Sequence, residues 1–324
     1  MHLAVYLPLL IPVIAALAAA PVAERLPPRP ATWLLAGSAL ALAVASSVVL
    51  GLLALTAVVR VPFVAGLGHM SARAISHADP ASVPVAIIAT AFLAYAALAA
   101  CRALLRRVTA IAAAGRRARN LPGAAQVVVT EDEAADAYTL PGWPCRIVVT
   151  SGMLRALTEG ERQVLLAHER THAAGSHYLF TAVARLASAA NPLLRPVAAA
   201  VGYTVERWAD ERAAAVAGDR ALTARAIARA ALATKAAPPH RDSTGRERLV
   251  AALGVVTLPW VTGRAHGPGP VPRRVAALLS PPPRLSLPLV AVALLLVAAS
   301  GVCALEAVRN MHQFVEYAQS FKAS

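Results

Sequence analysis

The chain of 324 residues carries a formal net charge of +14, and 58% of its residues are apolar whereas only 15% are charged. This composition indicates membrane segments and excludes an ordinary soluble protein. A nucleic-acid-binding protein has a similar charge balance, but the arginines here cluster beside hydrophobic runs, where orientation in a membrane places them, so no direct nucleic-acid partner is expected.

Four hydrophobic stretches approach the length of about 20 residues that a helix needs to cross a bilayer. They cover residues 3–22, 31–59, 83–105 and 285–308. The first stretch has neither a basic start nor a clear cleavage site, which favours an uncleaved span over a signal peptide. The sequence thus predicts an N-terminal membrane region, residues 1–105, with three transmembrane helices, and a fourth transmembrane helix at residues 284–308.

The arginines around these stretches are unevenly distributed. Five lie between residues 106 and 119, whereas the loop 60–82 carries only two. Because basic loops are retained on the cytoplasmic side, residues 106–283 are expected to face the cytoplasm and residues 309–324 to form a short external tail. The expected location is the plasma membrane, with the chain as a multi-pass protein.

Residues 106–283 are numerous enough for a domain of their own. Two β-branched runs in this region, at residues 126–130 and 146–150, are separated by a turn sequence and predict two strands of a small sheet. Thr158 followed three residues later by Glu161 is a capping-box pattern, which predicts the start of a helix. A second helix is predicted from about residue 199 to the glycine at position 218.

An apolar segment at residues 178–203 separates the two predicted helices. It contains Asn191, Pro192 and Pro196, and neither half is long enough to cross a bilayer. The expectation is a membrane-associated helical hairpin, either buried in the domain or dipping into the cytoplasmic leaflet. A pair of true spans is the alternative.

The first of the two helices carries the HExxH pattern at residues 168–172. Positions four apart lie on one face of a helix, so His168 and His172 can reach one ion while Glu169 polarises a bound water. Zinc suits such a site because it accepts nitrogen and oxygen ligands tetrahedrally and leaves one position for water. A chance match in a chain of this composition has a probability of about 1%, and the alternative is an inert, solvated helix.

The second helix carries two carboxylates at the same spacing, Glu206 and Asp210. Glu206 can complete a His-His-Glu ligand set, and Asp210 can accept a hydrogen bond from the outer nitrogen of a ligand histidine. Considered alone, the pair is more typical of an exposed helical charge pattern. Together with the HExxH pattern, it favours a metal site.

The segment "VVVTEDEAADAYTLPGWPCRIVVTSGMLRALTEGERQVLLAHERTH", followed by an apolar hairpin and "ERWAD", resembles the integral-membrane gluzincins. These include the HtpX-like and CAAX-protease-like peptidases and the antirepressor peptidases of β-lactam sensor proteins. The resemblance covers roughly residues 122–280. It implies one Zn²⁺ per chain with Glu169 as general base, Asp210 as the residue that orients a ligand, and three ligands: His168, His172 and Glu206.

The resemblance also implies a fold and an activity. The fold is a mainly α membrane protein with about four transmembrane helices and a cytoplasmic α+β zincin-like peptidase domain that contains a small β-sheet. The activity is that of a membrane-embedded zinc endopeptidase, whose protein or peptide substrate includes, as one possibility, a transcriptional repressor. HtpX-like quality control and a non-catalytic membrane signalling module are the alternatives. Only 16 residues follow the last stretch, so sensing through a large external domain, as in the sensor proteins, is not expected.

Peptidase sites of this kind use one further donor to the oxyanion, and His177, Tyr203 and Arg274 are the candidates. His177 lies five residues past His172, off the shared helix face, which favours a histidine at a helix end or on the surface. Trp143 is expected to be a buried aromatic residue. The strand at residues 146–150, if its edge is open, can hold an extended substrate through backbone hydrogen bonds.

Overall fold

The computed structural model describes residues 6–59, 83–143, 145–236 and 269–320, and the chain is mostly helical there. The helices are α1 (Leu7–Arg25), α2 (Pro28–Val59), α3 (Val83–Asn120), α4 (Ser151–Ala156), α5 (Glu159–Ala174), α6 (His177–Ala190), α7 (Arg195–Ala217), α8 (Arg220–Ala236), α9 (Pro270–Leu279) and α10 (Leu287–Ser320). Three strands, β1 (Val127–Thr130), β2 (Ala137–Leu140) and β3 (Arg146–Thr150), form one sheet. The loop at 60–82 lies outside the described residues.

Four of these helices, α1, α2, α3 and α10, are long and apolar enough to cross a membrane. The predicted spans and the mainly α fold with a small sheet are therefore confirmed. Both α3 and α10 continue well past the predicted ends at residues 105 and 308. In α3 the reason is compositional, because residues 106–119 are rich in alanine and arginine, which favour a helix, and contain no proline.

The apolar segment at residues 178–203 is a helical hairpin. Its arms are α6 and the first turns of α7, joined by a short 3₁₀ turn at Pro192–Leu194. Asn191 caps this turn by accepting a hydrogen bond from Leu193 N at 3.1 Å, and its amide donates to Ser46 Oγ of α2 at 3.1 Å. One apolar cluster joins α1, α2 and both arms. The hairpin therefore packs directly against the first two spans.

The sheet has the order β1-β3-β2, with β3 parallel to β1 and antiparallel to β2. The strands predicted at residues 126–130 and 146–150 correspond to β1 and β3, whereas the four residues of β2 give too short a pattern to detect. Every residue of β3 is buried, and both of its sides are paired. Residues 146–150 therefore have no open edge at which a substrate could pair, and β2 forms an edge of the described sheet instead.

The C-terminal part of α3 rests on this sheet through alanines spaced four residues apart. The apolar cluster there consists of Ala110, Ala114, Ala118, Tyr138, Leu140 and Val148. Arg146 of β3 is buried, and its guanidinium donates to backbone carbonyls of the segment that follows α3, including Leu121 O and Pro122 O at 3.1 Å. Carbonyl oxygens satisfy most of its donors, so the buried cation needs no carboxylate. The third span and the sheet thus form one continuous unit.

Candidate metal centre

Helix α5 carries the HExxH pattern and begins where the sequence predicts. Thr158 and Glu161 form the capping box, in which Glu161 accepts a hydrogen bond from Thr158 N at 2.9 Å. Arg229 of α8 also pairs with Glu161 at 2.8 Å, which ties the start of α5 to α8. At the other end, Gly175 closes the helix and Ser176 has a left-handed φ of 47°. The chain therefore turns sharply before α6 begins.

The structure brings His168, His172 and Glu206 together, with one ligand atom of each within 4.8 Å of the others. The two Nε2 atoms are 3.1 Å apart, and the Glu206 carboxylate oxygens lie 3.7 Å from His168 Nε2 and 3.6 Å from His172 Nε2. Ligands at about 2.1 Å from a tetrahedral zinc ion are separated by about 3.4 Å. The donor types and their spacing therefore fit a zinc ion.

Asp210 and Arg274 surround this ligand set. Asp210 is 1% exposed, and its Oδ1 lies 3.0 Å from His168 Nδ1. Arg274 of α9 donates to both oxygens of Asp210 at 2.7 and 2.6 Å, and its Nη1 lies 2.9 Å from Glu206 Oε2. Its guanidinium thus binds two carboxylates at once. Arg274 is therefore not free to donate to an oxyanion, the role for which the sequence made it a candidate.

Burial and neighbouring charges shift the pKa values of the two histidines in opposite directions. Burial alone would lower the pKa of His168, but Asp210 and Glu206 raise it to about 10. Burial is the largest cause at His172 and lowers its pKa to about 4. At Glu206, Arg274 and the histidines outweigh burial and hold the pKa well below its usual range. At neutral pH His168 is therefore protonated on both ring nitrogens, and a divalent cation must displace the proton on Nε2 to bind.

Glu169 is held by a residue that the sequence did not single out. Thr139 of β2 donates from Oγ1 to Glu169 Oε2 at 2.8 Å, and the same hydroxyl lies 3.1 Å from the backbone oxygen of Glu169. Burial raises the pKa of Glu169, while His168 and Thr139 lower it. The only signal for Thr139 in the sequence is its position in the "AYTL" segment that carries the family resemblance.

His177 lies at the start of α6, as one interpretation of the sequence predicts, but it is 2% exposed, so the surface interpretation is wrong. Its Nδ1 is 3.0 Å from His172 Nδ1, and its ring centroid is 4.5 Å from that of Trp208. The left-handed turn at Ser176 explains the difference, because the chain does not continue as the straight helix that the spacing argument assumes. His177 thus contacts Nδ1 of His172, the ring nitrogen that lies away from the candidate ligand atoms.

Tyr203 is not among the residues that line the cleft at the ligand set. Its ring contacts Arg207 and Arg273, whose guanidinium carbons lie 5.9 and 4.5 Å from the ring centroid. Tyr178, the second residue of α6, lines the cleft beside the site instead. Among the described tyrosines, Tyr178 is therefore the better placed to reach a substrate.

The site opens into a cleft of about 630 Å³. Its lining includes the metal-site residues and Thr139 as well as apolar residues. The apolar residues come mainly from α8 and α5 and include Leu165, Ala226, Ile227, Ala230 and Ala231. At the rim, Trp143 is 92% exposed, so the expectation of a buried aromatic residue is wrong there. The cleft is large enough for several residues of an extended peptide.

An HExxH helix joined by a glutamate from a later helix is the ligand arrangement of the gluzincin metallopeptidases, and here it is combined with four helices able to span a membrane. Residues 99–282 match Peptidase family M48. The match covers more than half of the 324 residues, and the chain belongs to this family. No curated protein and no solved structure matches the chain. The predicted relation to gluzincins, including the HtpX-like peptidases, is confirmed at the level of the family.

Proposed function

We propose that the protein is a membrane-embedded zinc endopeptidase that cleaves protein substrates at the cytoplasmic face of the plasma membrane. The observation that carries the proposal is the cluster of three ligand atoms at tetrahedral spacing, beside a buried glutamate and open to a cleft. Membership in the peptidase family supports the reaction class.

The proposed ligands are His168 and His172 through Nε2, and Glu206 through its carboxylate. Zinc bound there supplies Lewis acidity to the scissile carbonyl and lowers the pKa of water to about 7. Asp210 holds the proton of His168 on Nδ1, which leaves Nε2 free to face the ion. Arg274 offsets part of the negative charge of the two carboxylates, so that their mutual repulsion does not disperse the site.

Glu169 is the proposed general base. Thr139 fixes one oxygen of its carboxylate, and burial raises its pKa toward the range in which a carboxylate accepts a proton readily near neutral pH. Glu169 can therefore take a proton from the attacking water and deliver it to the nitrogen of the leaving amine. Tyr178 lines the cleft, whereas Arg274 is engaged by carboxylates and Tyr203 stacks against Arg273.

We expect the substrate to bind as an extended strand along β2. This strand forms an edge of the described sheet, and its Thr139 contacts Glu169, so a peptide paired with β2 would pass directly over the site. We expect the apolar residues of α5 and α8 that line the cleft to contact substrate side chains. No contact in the described residues favours a transcriptional repressor over another protein substrate, so that partner stays a prediction from the resemblance.

The cytoplasmic orientation is supported by α3. This helix carries five arginines between residues 106 and 119, and the same part of the helix packs on the sheet of the peptidase domain. This arrangement supports a peptidase domain on the arginine-rich side of the membrane, which is the cytoplasmic side for most membrane proteins.

Replacing Glu169 by glutamine tests this proposal, because the amide keeps the shape of the side chain but cannot accept the proton. The purified variant should bind about one zinc per chain and fail to cleave an unfolded protein that the wild type cleaves. His168→Ala should lose the zinc. Glu159→Gln, which changes an exposed glutamate on the same helix, is the matched control and should keep both properties.

Cleavage by Glu169→Gln at the wild-type rate would refute the assignment of the general base. A wild-type protein that holds no zinc would refute the metal site itself. Zinc binding without cleavage of any protein by the wild type would favour the non-catalytic signalling module.

A further inference from the structure

We propose that His177 is a positioning residue that fixes the orientation of the His172 imidazole and so increases the affinity of the metal site. The proposal rests on the zinc site proposed above, and it concerns a side chain outside the ligand set. Its basis is the 3.0 Å contact between the Nδ1 atoms of the two histidines.

The direction of this hydrogen bond follows from the ligand role of His172. Its Nε2 lies among the ligand atoms, so in the metal-bound state this nitrogen offers its lone pair and the ring proton sits on Nδ1. His172 Nδ1 then donates, and His177 Nδ1 must accept. His177 is consequently the tautomer that carries its proton on Nε2.

The two ligand histidines therefore have different partners on their outer nitrogens. His168 faces the carboxylate of Asp210, whereas His172 faces a neutral imidazole. Outer partners of this kind fix the tautomer and the ring orientation of a ligand histidine. His177 therefore orients His172 as Asp210 orients His168, and it does so without adding a second negative charge to the site.

The surroundings of His177 hold its ring in place. The ring is buried against Trp208 and lies nearly perpendicular to that of His172, at an interplanar angle of 87°. Gly175 leaves the necessary room, because a Cβ at that position would lie 2.5 Å from His177 Nε2 and 2.6 Å from Cδ2. The absence of a side chain at Gly175 therefore allows the ring to reach His172.

A histidine whose only role was to fill space would be energetically unfavourable at position 177. His177 Nε2 is buried and has no hydrogen-bond partner among the described residues. Burying an unpaired polar nitrogen is unfavourable, and an aromatic hydrocarbon ring would fill the same volume without that cost. The contact of Nδ1 with His172 provides the reason for a histidine at this position.

The test compares two substitutions in the full chain, His177→Phe and His177→Asn. Phenylalanine keeps a ring beside Trp208 but presents carbon to His172. Asparagine places Oδ1 where Nδ1 was and can still accept the hydrogen bond. Co²⁺ titration, followed by the visible absorption of the bound ion, should show affinity about 10- to 100-fold weaker for His177→Phe, with a changed spectrum, and close to wild type for His177→Asn.

Gly175→Ala is an independent test, because it keeps the histidine at position 177 but displaces its ring. It should weaken Co²⁺ binding in the same direction as His177→Phe. Gly202→Ala is the matched control, because Gly202 lies in α7 and nothing comes within 4 Å of its added methyl group. Melting temperatures of the chelator-treated proteins establish that each variant is folded.

The outcomes separate this inference from the proposed function. If the wild type binds no Co²⁺, the metal site proposed above fails. If the wild type binds Co²⁺ and folded His177→Phe binds it equally tightly with the same spectrum, the metal site stands and the positioning role of His177 is overturned. If His177→Asn loses as much affinity as His177→Phe, the acceptor role of Nδ1 is wrong.

Discussion

Replacing Arg274 by alanine removes the cation that holds two carboxylates of the metal site. Its guanidinium makes contacts of 2.6 and 2.7 Å with Asp210 and of 2.9 Å with Glu206, and only 12% of its side chain is exposed. Without it, both carboxylates would stay in the interior with a protonated His168 as their main counter-charge. We therefore expect the variant to unfold at a lower temperature than the wild type and to gain more stability from bound zinc.

The magnitude follows from the burial of the pair. Removing one partner of a buried ion pair costs about 3 to 5 kcal/mol, because the remaining charge is left uncompensated. For a domain of about 150 to 250 residues, 1 kcal/mol corresponds to about 2 to 4 °C in Tm. Chelator-treated Arg274→Ala should therefore melt at least about 6 °C below the wild type. Saturating zinc should restore part of this difference, since the ion brings two positive charges to the same carboxylates.

The measurement is thermal unfolding of the detergent-solubilised full chain, followed by tryptophan fluorescence with and without zinc. Arg273→Ala is the matched control on the same helix. Arg273 pairs with Glu24, but the two side chains are 37% and 55% exposed, and exposed pairs contribute about 0 to 1 kcal/mol. Its stacking on Tyr203 adds about 0.5 to 1 kcal/mol. Equal melting temperatures for the two chelator-treated variants would refute the argument from burial.

The remaining predictions concern the proton balance of the site. The apparent association constant for Zn²⁺ should rise about tenfold per pH unit between about pH 5 and 9, because His168 with its pKa of about 10 must lose a proton while His172 with its pKa of about 4 is already neutral; a flat profile would contradict this. Thr139→Val should lower kcat about 10- to 100-fold through the lost hydrogen bond to a charged group. The acidic limb of its pH profile should move to higher pH, because Thr139 lowers the pKa of Glu169. Thr234→Val, which changes another cleft threonine whose hydroxyl bonds to Ala230 O, should alter neither property.

Local patterns were enough to predict the parts of the site that lie on continuous helices. The spacing of His168 and His172, and of Glu206 and Asp210, places each pair on one helix face, and the structure joins the two faces. The capping box at Thr158 and its hydrogen bonds also depend only on neighbouring residues. Such features need no knowledge of the tertiary fold.

Features that depend on contacts between residues far apart in the sequence could not be predicted from local patterns. Thr139 reaches Glu169 only because β2 pairs with β3 and lies beside α5, and four residues of β2 give no periodic signal. His177 folds back on His172 because Ser176 takes a left-handed conformation, which is rare outside glycine. Arg274 was predicted only as a candidate oxyanion donor, because its contacts with both carboxylates depend on how α9 packs against α7.

The continuity of α3 sets a fixed distance between the lipid and the cleft. At 1.5 Å per residue its 38 residues extend over about 57 Å, whereas the hydrocarbon core of a bilayer is about 30 Å thick. The part of α3 beyond the bilayer carries the sheet, and the hairpin at residues 178–203 packs on the first two spans at the same time. The proposed endopeptidase should therefore cut a membrane-anchored substrate at one distance from the bilayer and leave sites at other distances intact.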